Sequence, residues 1–189
     1  MSPEIVEKFF LNYSAVADGI PPTNVFNYDE TNLTDDPGAQ KKFLFRKGVK
    51  YTEKVMDTTK TSISIMFCGS AAGDLLPPYV VYKGETLWTN WCLEGPSHCR
   101  YYVTKNGWFD MGAFENWFET VFLPAVTRLD GPKVLVGDNL TSHISLNVIR
   151  QCRSNNIQFV CLPPHPPLSP LIQLFLRQRG KNIPVCRHA

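Results

Sequence analysis

The run Lys133-Val-Leu-Val-Gly-Asp138 is short, apolar and stopped by a carboxylate, and it lies between two segments whose apolar residues recur at helical spacing. Upstream, Asp110 precedes Met111, Phe114, Phe118, Val121, Phe122, Ala125 and Leu129 on one face, which predicts a capped helix from Met111 to about Leu129, kinked by Pro124. Downstream, Ile144 to Arg153 reads as a second amphipathic helix and Ile157 to Leu162 as a last buried strand. A strand enclosed by helices in this way belongs to an α/β domain.

The rest of the chain supplies the remaining strands. Pro3 to Ala17 has Ile5, Val6, Phe9 and Phe10 at helical spacing before the breaker cluster Asp18-Gly-Ile-Pro-Pro22, and reads as the end of a helical linker. Val25-Phe-Asn-Tyr-Asp-Glu30 is a short β-prone run that ends in two carboxylates. Thr31 to Lys60 is expected to be a surface connection, with a short strand at Lys50 to Lys54. The alternating segment Thr61 to Cys68 pairs with Pro78 to Tyr82 as a hairpin turned at Gly69 to Asp74, and Lys83 to Trp108 reads as an irregular excursion. The predicted order β, hairpin, α, β, α, β gives a mixed sheet in which two strands deliver Asp29 and Asp138 at their carboxyl ends.

With 189 residues, 43% of them apolar, the chain suits one core that buries roughly 70% of its unfolded surface. Nineteen basic against 17 acidic residues leave a formal charge of +2, so bulk charge does not announce a nucleic-acid partner. No run reaches the roughly 18 apolar residues of a membrane span, and Met1-Ser-Pro-Glu4 does not open a signal peptide. The expectation is an intracellular protein, not secreted and without a membrane. The six cysteines, Cys68, Cys92, Cys99, Cys152, Cys161 and Cys186, form no C-x-x-C pair and are expected to be mostly buried free thiols.

Aspartates delivered by separate strands to one sheet edge offer hard oxygen ligands for magnesium or manganese, the basis of metal-assisted phosphoryl chemistry. An Asp at a strand end is equally a turn or helix-cap residue. What separates the two readings is a set of motifs: Asn27-Tyr-Asp-Glu-Thr31, Ile65-Met-Phe-Cys-Gly69, Leu76-Pro-Pro-Tyr-Val-Val-Tyr-Lys83, Gly107-Trp-Phe-Asp110 and Val136-Gly-Asp-Asn-Leu-Thr-Ser-His143. In this order, from about Thr23 to Pro164, they resemble the DDE superfamily endonuclease domain of transposases, in the branch of pogo and Tigger-type elements.

The resemblance implies an RNase H-like mixed sheet flanked by helices over residues 23–164, with 1–22 as the remnant of a helical linker and 165–189 as an off-pattern, disordered tail. It further implies Mg2+ or Mn2+ as cofactor, DNA as partner and substrate, a homodimer and a nuclear location. Asp29 and Asp138 fall on the family's first and second catalytic aspartates and would be metal ligands. Glu30 follows as in the family but points to the opposite face of its strand, as a solvent or salt-bridge residue. Asn139, Ser142 and His143 complete the second motif, with Ser142 as a helix cap and His143 as a residue that packs against or orients a ligand.

The family's third carboxylate stands in a Gln-Pro-Leu-Asp motif; ungapped counting puts it at Leu174, and no Asp or Glu follows Asp138. The abrupt change after Pro164 suggests a shifted reading frame or a mis-joined exon, and the chain reads as a central fragment. Lys41, Lys42, Arg46, Lys47 and Lys50 suit phosphate contacts or a solvated loop. Trp88, Trp91 and Trp108, with Arg100, Tyr101 and Tyr102, suit either stacking on a DNA end or packing beneath the excursion, and packing is favoured. The leading expectation is a DNA-binding domain of transposon origin that has lost strand cleavage. The alternatives are an active endonuclease completed by a ligand from another chain and a non-functional fragment of a decayed element.

Overall fold

All five residues of β5 (Lys133–Gly137) are buried, as its apolar sequence requires, and the sheet is built outward from it. The computed structural model describes residues 3–34, 62–93, 95–138 and 145–163. Within them β1 (Val25–Thr34), β2 (Ser62–Ser70), β3 (Tyr79–Lys83), β4 (Arg100–Thr104), β5 and β6 (Ile157–Cys161) form one six-stranded sheet in the order β4-β3-β2-β1-β5-β6. The strand β2 is antiparallel to both neighbours, while β1/β5, β3/β4 and β5/β6 are parallel, so the sheet is mixed as expected.

Helices cover both faces. On one side α1 (Pro3–Ala17) packs Phe9, Tyr13 and Val16 over Val25, Val134 and Val136, so one of its faces is part of the core; its other face is exposed and carries the large apolar residues Ile5, Phe10 and Leu11. The opposite face carries the larger core, where α2 (Met111–Trp117) and α4 (Leu146–Ser154) enclose Phe26, Tyr28, Met66, Tyr79 and Leu135. Asp110 caps α2, accepting a 2.8 Å hydrogen bond from the Ala113 N–H. The single kinked helix expected here is instead α2, a π turn at Phe118–Phe122, and α3 (Leu123–Val126). A π turn absorbs one extra residue, and Pro124 falls in the first turn after it, where its missing N–H breaks no needed bond. Trp117, Phe118, Val121, Phe122 and Val126 thereby all remain buried.

Other expectations are corrected as well. β1 does not stop at its two carboxylates but runs on to Thr34, because β2 pairs with it as far as Thr34↔Ser62. The excursion after Lys83 contains β4, which aligns with β3 and stacks Tyr102 on Tyr79 and Tyr101 on Tyr82. Trp88 and Trp108 are exposed rather than packed beneath it, while Trp91, partly exposed, packs its ring 5.0 Å from that of Tyr82. Among the described cysteines, Cys68 and Cys152 are buried and Cys92, Cys99 and Cys161 are half-buried. The expected strand at 50–54 lies outside the described residues, as does the tail from 165.

Candidate active site

The site is assembled by the parallel ladder between β1 and β5. Its pairs, Val25↔Val134, Phe26↔Leu135 and Asn27↔Val136, share an offset of 109 residues, and the same offset joins Asp29 to Asp138. The ladder ends at Asn27, so the two aspartates stand two residues beyond it, on neighbouring strands inside the sheet. Asp29 keeps its antiparallel partner, Phe67, on the other side.

Alternation sends both carboxylates to one face. Tyr28 turns into the large core, where its ring centroid lies 5.4 Å from Phe114 and 5.3 Å from Trp117. A Cβ on Gly137 would run into that ring, so Gly137 looks toward the same face as Tyr28. Asp29 and Asp138, each the next residue along, therefore lie on the opposite side, the one that α1 covers further toward the strand starts. Asp29 is exposed and Asp138 half-buried.

Two buried amides bracket the ladder. Asn24 donates from Nδ2 to the carbonyls of Asp130 (2.7 Å) and Pro132 (3.1 Å), and Asn27 donates to the carbonyl of Val136 at 3.1 Å. A one-residue slip would break these bonds and turn every side chain to the wrong face, so the amides fix the register that aligns the carboxylates. No motif marks either amide; Asn27 is a polar side chain at a buried position of an apolar strand, and Asn24 sits in the turn before it.

The carboxylate of Asp138 also acts on its neighbours. Burial pushes the Tyr28 hydroxyl far above its usual range, and the negative charge of Asp138 raises it further. The Cys161 thiol is likewise raised, first by burial and then by Asp138. Such a negative field stabilises a bound cation.

Glu30 lies on the Tyr28 side of β1, half-buried, with Oε1 shielded and without a hydrogen-bond partner among the described residues. Asn139, Ser142 and His143 are outside the described residues, as are Lys41, Lys42, Arg46, Lys47 and Lys50. At the start of α4, Ser145 is the cap, accepting a 3.1 Å hydrogen bond from the Val148 N–H.

Two carboxylates from neighbouring strands, one exposed and one half-buried, are the donor type that suits a hard cation, which keeps several waters and takes further oxygens from a phosphate. Among the described residues no group of three or more His, Cys, Asp or Glu side chains completes a protein-only cage.

The sequence matches the family described as DDE superfamily endonuclease over residues 60–172, a span that includes Asp138 and begins after Asp29. The fold is similar to the catalytic domain of Mos1 mariner transposase, at a TM-score of 0.50 and 11% identity over 95% of this chain and 72% of that one. It is also similar to the Mos1 mariner paired-end complex with Mn, at 0.51 and 13% identity over 95% of this chain and 49% of that one. These likenesses establish the RNase H-like fold. A protein of Cochliobolus lunatus named MFS-type transporter clz9 is 31% identical over 98 residues, 51% of this chain but 11% of that protein. Among the described residues no helix is long and apolar enough to cross a membrane.

Proposed function

Since the chain belongs to the DDE superfamily endonucleases, we propose that it is a transposon-derived domain that binds DNA at the β1/β5 seam but does not cut it unaided. The observation that carries this reading is the shared 109-residue offset of Asp29 and Asp138 at the end of the central ladder. Asp29 and Asp138 are the residues that would hold Mg2+ or Mn2+, and a divalent ion bound there supplies Lewis-acid polarisation of a phosphodiester. Asn24 and Asn27 support the strand register that places the two carboxylates side by side, and Asp29 lies at the exposed end of that seam.

Loss of cleavage follows from charge. Two carboxylates neutralise one divalent ion, whereas two-metal strand cleavage asks for a second ion about 4 Å away. Sequence after Asp138 contains no Asp or Glu to help hold it. The Mos1 complexes, described as paired-end complexes and in one case with a transposon end, support DNA as partner; a homodimer and a nuclear location complete the proposal.

The test is incubation of the purified chain with labelled terminal-repeat DNA in Mg2+ or Mn2+, with Asp138→Ala as control. Retarded migration of the DNA without nicking is expected. Nicking that vanishes in Asp138→Ala would overturn the loss of cleavage, and nicking that rises steeply with protein concentration would point to a ligand donated by a second chain.

A further inference from the structure

On the face of the sheet opposite Asp29, a cleft of about 270 Å³ opens between the start of β4 and the end of α3. Its rim carries His98, Arg100 and Arg128, and its apolar walls include Pro77, Val121 and Pro124. Arg100 pairs in register with Tyr79, whose side chain is buried in the core beneath α2, so Arg100 leaves the sheet on the helix side. Among the described residues no carboxylate lines the cleft. Three strand spacings, roughly 14 Å, separate β4 from β1.

The three basic side chains are exposed, and among the described residues none of them has an ion-pair or side-chain hydrogen-bond partner. Arg128 follows α3, whose end is already closed by backbone bonds from Thr127 to Leu123 and from Leu129 to Val126, both 3.0 Å, so its guanidinium is not needed as a cap. His98 has φ of 67°, a left-handed conformation that L-residues adopt at an energetic cost and that recurs at ligand clamps. Bonds of 3.1 Å from Cys99 to Pro96 and from Arg100 to Pro78 hold the backbone there. Thr120 gives its hydroxyl proton to the Asn116 carbonyl, leaving the basic groups as the donors.

We propose that this cleft is a phosphate-binding site, with Arg100 and Arg128 as forked donors and His98 as the third. Two guanidinium forks on one rim can each offer two N–H donors to the oxygens of a tetrahedral phosphate, and no carboxylate among the lining residues competes for them. The same oxyanion is offered by free phosphate and by a phosphodiester of a nucleic-acid backbone.

The experiment titrates the isotope-labelled chain with sodium phosphate and, separately, with a short DNA duplex, following the resonances of His98, Arg100 and Arg128. Both ligands are expected to shift them. Arg100→Gln combined with Arg128→Gln should weaken phosphate binding about tenfold or more. It should also flatten the dependence of log K on log salt for the duplex by about 1. Lys105→Gln, outside the cleft, serves as control and should change neither. Arg100→Gln alone replaces the double variant if thermal unfolding shows the latter to be damaged. A response to phosphate alone identifies free phosphate as the ligand, and a response to the duplex alone identifies the phosphodiester. Absence of both responses, or binding undiminished in the arginine variants, overturns the proposal.

Discussion

The ring of Tyr28 occupies the space in which a side chain at position 137 would begin, so Gly137 and Tyr28 together close the seam between β1 and β5 on the core side. Gly137→Ala must displace a ring wedged among Phe114, Trp117 and Phe159. Overpacking of this kind costs about 1–3 kcal/mol, which chemical denaturation reads as a lower midpoint. Tyr28→Ala is itself damaging, through a cavity cost of about 3–5 kcal/mol. The double variant should nevertheless be more stable than the sum of the two losses predicts, and strict additivity would show that the contact does not matter.

Asn27→Leu keeps the side chain's bulk but takes the donor from the Val136 carbonyl. An expected loss of about 1–3 kcal/mol follows from leaving a buried acceptor unsatisfied. Amide hydrogen exchange should show faster opening of the β1/β5 ladder than of the β2/β3 ladder. Equal acceleration in both would mean that Asn27 acts on the whole sheet rather than on the seam.

Much of this architecture was legible in the chain, and the misses have physical causes. The strand before Asp138 and the helix capped by Asp110 carried undiluted periodicity. Arg100–Thr104 is as β-prone as any strand here, but its pairing surface is supplied by β3, and its neighbours Gly95, Pro96 and Trp91 disguise it. The end of β1 was misjudged because Asp29 and Glu30 look like a stop; the antiparallel partner β2 carries the strand through them. Trp88 and Trp108 are exposed where burial was expected, and no sequence period distinguishes the two cases. The sequence aligned the aspartates through a family resemblance, whereas the amides that hold them in line, Asn24 and Asn27, emerged only from their hydrogen bonds.

Asp29 and Asp138 are the residues that would hold a divalent ion, so metal-linked stability reports on both. In wild type, Mn2+ at ten times its dissociation constant should stabilise by about 1.4 kcal/mol, a gain that Asp138→Asn and Asp29→Asn should each abolish. Thermal unfolding with and without Mn2+ measures the gain, and an undiminished gain in either variant would move the metal elsewhere.

Alkaline pH should weaken the fold through its buried thiols. Burial pushes Cys152 up from an ordinary 9.0 to about 12, and it pushes Cys68 up as well. Below pH 9 both states keep these protons and the thiols contribute no slope. Above it the unfolded chain releases protons that the folded chain retains, so stability falls as pH rises toward 12, by about 1.4 kcal/mol per unit for each thiol. Urea midpoints between pH 8 and about 11 should show this decline, and Cys152→Ala should make it shallower. An unchanged slope in that variant would remove Cys152 from the account.

The pairing of Asp29 with Asp138 depends on hydrogen bonds and not on the polypeptide that joins them. Asn27 reaches β5 and Asn24 the turn just before it, so the alignment does not rest on the length of the connections between β2, β3, β4 and α2. Segments inserted into or removed from those connections leave the two carboxylates where they are. A lineage of such chains is free to diverge in size between the aspartates while the three-pair ladder and its two asparagines stay as the gauge.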